Sequence, residues 1–165
     1  MNIFFSLIDE SAARVIVRWR YEPPYDIYNL RDSAESIQYA LDPQNHFYIM
    51  RDESAELVGF CSFGEDGQVP GGDYGAEALD IGMGIRPNLT GQGHGSNFGS
   101  AVLNFAERKF QPVAFRVTIA AFNQRARRVW EVNGFQQVQS FTHKNSKREF
   151  IVMVRDVNIN KKVTT

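Results

Sequence analysis

Six glycines fall within the nineteen residues 81–99, IGMGIRPNLTGQGHGSNFG. An apolar run, EALDIGMGI, leads into this stretch. Apolar residues at 3–4 spacing (Phe98, Val102, Leu103, Phe105, Ala106) follow it. The pattern reads as a strand handing over to a helix through bare backbone. Glycine inside an element costs about 0.5–1 kcal/mol relative to alanine, so such density needs an offsetting gain. A helix start leaves N–H groups without partners, and its dipole favours negative charge. Gly91, Gly93 and Gly95 remove side chains that would hold a phosphate away from those amides. Three alternatives stand beside this reading. A P-loop would place Lys and Ser/Thr after the second glycine, and this loop has no Lys. A dinucleotide fingerprint wants G-x-G-x-x-G and an acid ending the next strand. Here Gly93 to Gly99 runs one residue too long, and FRVTIAAFN ends in Asn123. The third alternative is a flexible helix start with no ligand.

The remaining segments give an element order. IFFSLIDE reads as a strand and SAARVIVRW as a helix with Ser11 as its N-cap. RYEPPYDIYN must be a loop, because Pro23 and Pro24 break any helix. RDSAESIQYAL is a short helix. HFYIMRD and ELVGFCSFG are strands around a polar turn, and EDGQVPGGDYGA is a loop. After the glycine loop and its helix come a strand, VAFRVTIAAF, and a helix, NQRARRVWEVN, stopped by Gly134. FQQVQSFTH and KREFIVMVRD close the chain as a hairpin. The expected fold is α/β with a mixed, twisted sheet of about six or seven strands and about four helices on its two faces. The β-α-β unit implies one parallel crossover.

At 165 residues the chain suits one domain, here 1–157, followed by a polar tail over 158–165. A net charge of −1 argues against a broad grip on nucleic acid. One Cys (Cys61) and three scattered His (His46, His94, His143) give no metal-ligand spacing, so no metal is expected. The N-terminal patch lacks a basic flank, and no apolar run is long enough to span a bilayer. The expected setting is the cytoplasm, with no membrane partner.

Two quoted stretches carry a resemblance. GIRPNLTGQGHGSNFGSAVLNFA and VAFRVTIAAFNQRARRVWEVNGFQQV together resemble the GNAT superfamily of acetyl-CoA-dependent N-acetyltransferases. The family loop is Arg/Gln-x-x-Gly-x-Gly/Ala, and Thr90 departs from it at the first position. The resemblance implies that acetyl-CoA is the co-substrate and that its pyrophosphate lies on the amides of Gly91, Gln92, Gly93, His94, Gly95 and Ser96. It also implies that the pantetheine arm lies beside the backbone of Met83, Gly84 and Ile85, where Gly82 and Gly84 suit a bulge. The second signature is Asn123-x-x-Ala126-x-x-x-Trp130-x-x-x-Gly134-Phe135. Asn123 caps a helix and, by resemblance, touches the cofactor arm. Trp130 stands where many members carry a Tyr general acid; an indole cannot do that work at neutral pH, although it can pack on the cofactor.

Acetyl transfer needs a neutral amine, an oriented thioester and a donor for the oxyanion. Asp80 is the favoured base and Glu77 the second candidate. The Met83 N–H is the oxyanion donor by analogy. Tyr21, Glu22, Tyr25 and Tyr28, with Asp26, offer aromatic walls and acids for a cationic amine, or merely pin a loop. Of Arg125, Arg127 and Arg128, the face shared by Arg125 and Arg128 is the one placed for the coenzyme's phosphate, or for solvent. The expected function is acetyl transfer from acetyl-CoA to a primary amine, on a small molecule or on a protein N-terminus or lysine, by direct attack in a ternary complex. A homodimer is possible. Two other functions remain open: a non-catalytic acyl-CoA sensor of the same fold, and a nucleotide-binding oxidoreductase, which the loop spacing disfavours.

Overall fold

The computed structural model describes residues 1–157, so the expected tail over 158–165 lies outside the described residues. Seven strands form one sheet in the order β1-β2-β3-β4-β5-β7-β6. The strands are β1 (Phe4–Leu7), β2 (Phe47–Arg51), β3 (Leu57–Phe63), β4 (Leu79–Ile85), β5 (Ala114–Ala120), β6 (Gln136–Thr142) and β7 (Glu149–Asp156). The helices are α1 (Glu10–Ile16), α2 (Ala34–Leu41), α3 (Gly95–Phe110) and α4 (Gln124–Val132). The order matches the sequence reading element for element, and β4–β5 is the parallel pair.

Strand alternation divides the apolar side chains between two faces. Cys61, Phe63, Ile81, Phe115 and Met153 pack beneath Phe98 and Val102 of α3 and Trp130 of α4. On the other face Phe47 and Phe60 meet Ala13 and Val17 of the α1 segment and Ile37 and Ala40 of α2. The N-cap of α1 is Asp9, whose Oδ1 accepts from the Ala12 N–H at 2.8 Å, two residues before the expected Ser11. Ser33 caps α2 in the same manner. The loop between α1 and α2 contains a cis peptide between Pro23 and Pro24.

The feature that positions the site is a fork. β4 and β5 pair only at Leu79↔Phe115 and Asp80↔Arg116. Beyond those residues β4 stays on β3 as far as Ile85, while β5 stays on β7 as far as Ala120. The β3–β4 register shows no shift from Phe63↔Ile81 to Gly59↔Ile85, so the expected bulge is absent. Gly82 and Gly84 have a packing reason instead. A Cβ on Gly84 would lie 2.3 Å from Phe60 Cε1, and one on Gly82 would lie 2.5 Å from Ser62 Oγ.

Candidate active site

The fork's two edges expose backbone groups that no strand satisfies. Arg86 N donates to Val58 O, and Asp80 O accepts from Gly64 N, so the even-numbered residues of β4 turn toward β3. Alternation turns Ile81, Met83 and Ile85 toward the fork. Of the backbone groups expected there, Met83 and Ile85 face the opening, whereas Gly84 faces β3. On the facing edge Ala121 N donates to Glu149 O, which turns the Ala120 N–H into the fork.

Where β4 ends, the glycine loop begins, and α3 starts against the fork. Among the described residues, the N–H groups of Gly91, Gln92, Gly93, His94, Gly95 and Ser96 donate to no protein acceptor. His94 occupies the N-cap position of α3 without a side-chain cap. The glycines divide by role. Gly91 (φ +71°) and Gly93 (φ +82°) adopt the left-handed region that disfavours a side chain. A Cβ on Gly93 would meet nothing within 4 Å, so the space beside its Cα is open. Gly95 and Gly99 instead let α3 and α4 approach: a Cβ on Gly95 would lie 2.6 Å from Val129 Cγ2, and one on Gly99 would lie 3.1 Å from Val129 Cγ1. The Thr90 hydroxyl donates to Pro87 O at 2.7 Å. Gln92 Nε2 donates to Asn88 O at 2.7 Å. These two bonds brace the loop from within. A row of unpartnered amides at the start of a sixteen-residue helix, with open space beside Gly93, suits a diphosphate.

The closed end of the fork holds the main departure from expectation. Asp80, expected as the base, is 3% exposed and accepts from Arg116 Nε and Nη2, both at 2.7 Å. Gln68 Nε2 also donates to it at 2.9 Å. Arg116 Nη1 continues to Ala76 O, and its guanidinium lies 4.9 Å from the Tyr74 ring centroid. The Asp80 carboxylate beside it holds the Arg116 pKa above its usual value. Both carboxylate oxygens are already committed to the guanidinium, and Oδ2 to the Gln68 amide as well. Asp80 is therefore the lock at the fork's apex and is ill placed as a base. Its partner was missed, although a lone Arg inside AFRVTIA and a lone Asp inside EALDIGMGI form the pair that burial demands. Glu77 is exposed, and no ion pair holds it among the described residues.

Trp130 is 3% exposed, with its ring centroid 5.1 Å from that of Phe135, in the core between α3 and α4. That burial leaves little of the indole to pack on a cofactor. Asn123 caps α4 as expected: its Oδ1 accepts from Ala126 N at 3.0 Å. Its Nδ2 donates to Tyr28 Oη at 3.1 Å, as does Ala120 N at 3.2 Å. Tyr21 Oη donates to Ile85 O at 2.7 Å, and burial pushes its pKa up to about 12. The Tyr25 ring lies 4.5 Å from the Arg125 guanidinium, and that guanidinium is 3.1 Å from where a Cβ on Gly91 would sit. Arg125 thus stands against the glycine loop. Arg128 is exposed, and Arg127 pairs with Glu131 and Gln137. Glu22 lies beside these tyrosines in the loop and is exposed.

An acidic wall went unread in the sequence. Asp66, in the turn after β3, accepts from Ser62 Oγ, and its Oδ2 is 3.2 Å from the Cβ position of Gly82. Burial, followed by the charge of Asp66, pushes the nearby Tyr39 hydroxyl up to about 12. Asp66 and Glu65 therefore stand on the α1–α2 face, beside β4. The turn after β3 folds back against Gly82 to bring them there, a contact that local spacing did not signal. Among the described residues no cluster of three His, Cys, Asp or Glu is placed to hold a metal, and no helix is long and apolar enough to cross a membrane.

Comparison with known proteins bears on the family and the fold. Residues 5–136 match the family model for the acetyltransferase (GNAT) domain. No curated protein matches the chain by sequence. Among solved structures, a spermidine N-acetyltransferase SpeG chimera from Vibrio cholerae and hSSAT is similar with a TM-score of 0.70 at 15% identity, over 93% of this chain and 95% of that one. A GNAT-family acetyltransferase from Bacillus anthracis gives 0.73 at 14%, over 94% and 95%. The aminoglycoside acetyltransferase AAC(6')-Ib, in complex with coenzyme A and kanamycin, gives 0.70 at 17%, over 94% and 95%. At these identities the likeness is one of fold. With the family model spanning most of its length, the chain belongs to the GNAT family of acetyltransferases.

Proposed function

We propose that this chain transfers an acetyl group from acetyl-CoA to a primary amine by direct attack in a ternary complex. The observation that carries the proposal is the fork between β4 and β5, opening beside six amides at the start of α3 that have no partner among the described residues. The amides of residues 91–96 hold the diphosphate, with Arg125 and Arg128 as the cations on the adjoining face of α4. The fork-facing groups of Met83 and Ile85 hold the amide-bearing arm as a further strand would, and Asn123 closes the far side. Acetyl-CoA supplies the acyl group as a thioester; the chain supplies position and charge.

The Met83 N–H, aimed into the fork, donates to the developing oxyanion. The acceptor arrives from the α1–α2 face, where Tyr21, Tyr25 and Tyr28 give aromatic surface and Glu22, Glu65 and Asp66 favour a cation. With Asp80 committed to Arg116, the amine proton passes to water or to Glu77. Trp130 supplies no proton, and the thiolate leaves without one, a thiol being far more acidic than an alcohol or amine. A melt with CoA followed by an amine panel tests the reading. A rise of several degrees with CoA and none with NAD, then thiol release with at least one amine, is the expected result. Stabilisation by CoA without thiol release from any amine would favour the non-catalytic acyl-CoA sensor.

A further inference from the structure

Two tyrosines of a single loop occupy the fork's unpaired edges. Tyr21 Oη takes the carbonyl of Ile85 on the β4 side. Tyr28 Oη takes the N–H of Ala120 on the β5 side, together with Asn123 Nδ2. Between them the Tyr25 ring rests 5.9 Å from Phe122 and 4.5 Å from the Arg125 guanidinium. The loop is also closed on itself: Tyr21 N donates to Asn29 Oδ1 at 2.8 Å, and Tyr25 N to Glu22 O at 2.8 Å. It therefore crosses the open end of the fork with one hydroxyl on each side.

We propose that residues 21–28 form a strap across the fork, and that the coenzyme's amide-bearing arm must displace the hydroxyls of Tyr21 and Tyr28 to lie between β4 and β5. This inference rests on the coenzyme reading above. An extended arm in the fork needs a carbonyl from one edge and an N–H from the other. Ile85 O and Ala120 N are such groups, and both are already taken. Displacing each hydroxyl lowers apparent affinity about two- to tenfold, because the binding-competent state is only fractionally populated. The same step frees the tyrosines that face the acceptor.

The test is calorimetric titration of CoA into the wild type, Tyr21→Phe, Tyr28→Phe and the double variant. Hydrogen exchange over residues 21–29 is followed with and without CoA. Phenylalanine keeps the ring and removes only the hydroxyl, and a thermal melt checks each fold. The expected result is CoA affinity about tenfold higher in the double variant, and faster exchange in this segment when CoA binds. Unchanged or weaker binding in the double variant, or slower exchange with CoA, overturns the strap: the hydroxyls would then be contacts for the arm. Failure of every form, wild type included, to bind CoA would instead overturn the coenzyme reading, and the strap with it.

Discussion

Replacing Asp80 by alanine separates a structural lock from a catalytic base. In the folded chain its carboxylate meets Arg116 through two bonds of 2.7 Å, with the two side chains 3% and 5% exposed. Removing it leaves a buried guanidinium with no counter-charge, which costs about 3–5 kcal/mol. A domain of this size loses about 2–4 °C per kcal/mol, so the melting temperature should fall by about 6–20 °C. The assay is a set of thermal melts on Asp80→Ala, Arg116→Ala and the double variant. The double variant should be less destabilised than the sum of the singles, by about 1–3 kcal/mol, because the second deletion removes the orphaned charge. A pair of apolar replacements, Asp80→Leu with Arg116→Met, should recover more stability still. An Asp80→Ala protein that melts within about 2 °C of wild type, or single losses that simply add, would refute the lock and restore Asp80 as a candidate base.

Further outcomes follow from the same geometry. Gly95→Ala should lose about 1–3 kcal/mol in a denaturant titration, because its Cβ would sit 2.6 Å from Val129 Cγ2. Gly93→Ala should cost only about 1 kcal/mol for its φ of +82°, yet weaken CoA binding measured calorimetrically, since the methyl would enter the open space beside the loop. Burial raises the Tyr21 phenol to about 12 from the 10.0 of an ordinary tyrosine, so the folded chain holds that proton more tightly than the unfolded one. Its contribution is therefore complete below pH 10 and disappears as pH rises to about 12, about 2–3 kcal/mol in all; melts across that range should show a flatter loss in Tyr21→Phe. Burial pushes the Cys61 thiol well up, so a thiol reagent should label it only as fast as the chain opens, and adding denaturant should accelerate labelling.

How much of this was legible depended on whether the determining contact is local. The order of elements could be read because the period of apolar residues changes from two to 3.6 along the chain, and because Pro23–Pro24 and the glycines punctuate it. Asn123 as a helix cap and Gly134 as a helix stop follow from neighbouring residues, and both stand in the structure. The reasons behind Gly82, Gly84, Gly95 and Gly99 were not legible, since the atoms that exclude a Cβ belong to Phe60, Ser62 and Val129 on other elements. The pairing of Asp80 was not legible for the same cause: a charge beside a cleft and a charge paired across two strands look alike until the register sets Asp80 opposite Arg116. Trp130 sits at a signature position, but its surroundings in the core between α3 and α4 come from packing that the signature does not encode. The acidic wall at Asp66 depends on how the turn after β3 folds back against Gly82.

The most direct test of the account is an amide NMR titration with coenzyme A. The account predicts that the N–H signals of Gly91, Gly93, Gly95 and Ser96 shift furthest, in step with a single binding curve, as a diphosphate takes these donors. Coenzyme that binds while those four signals stay still would contradict it.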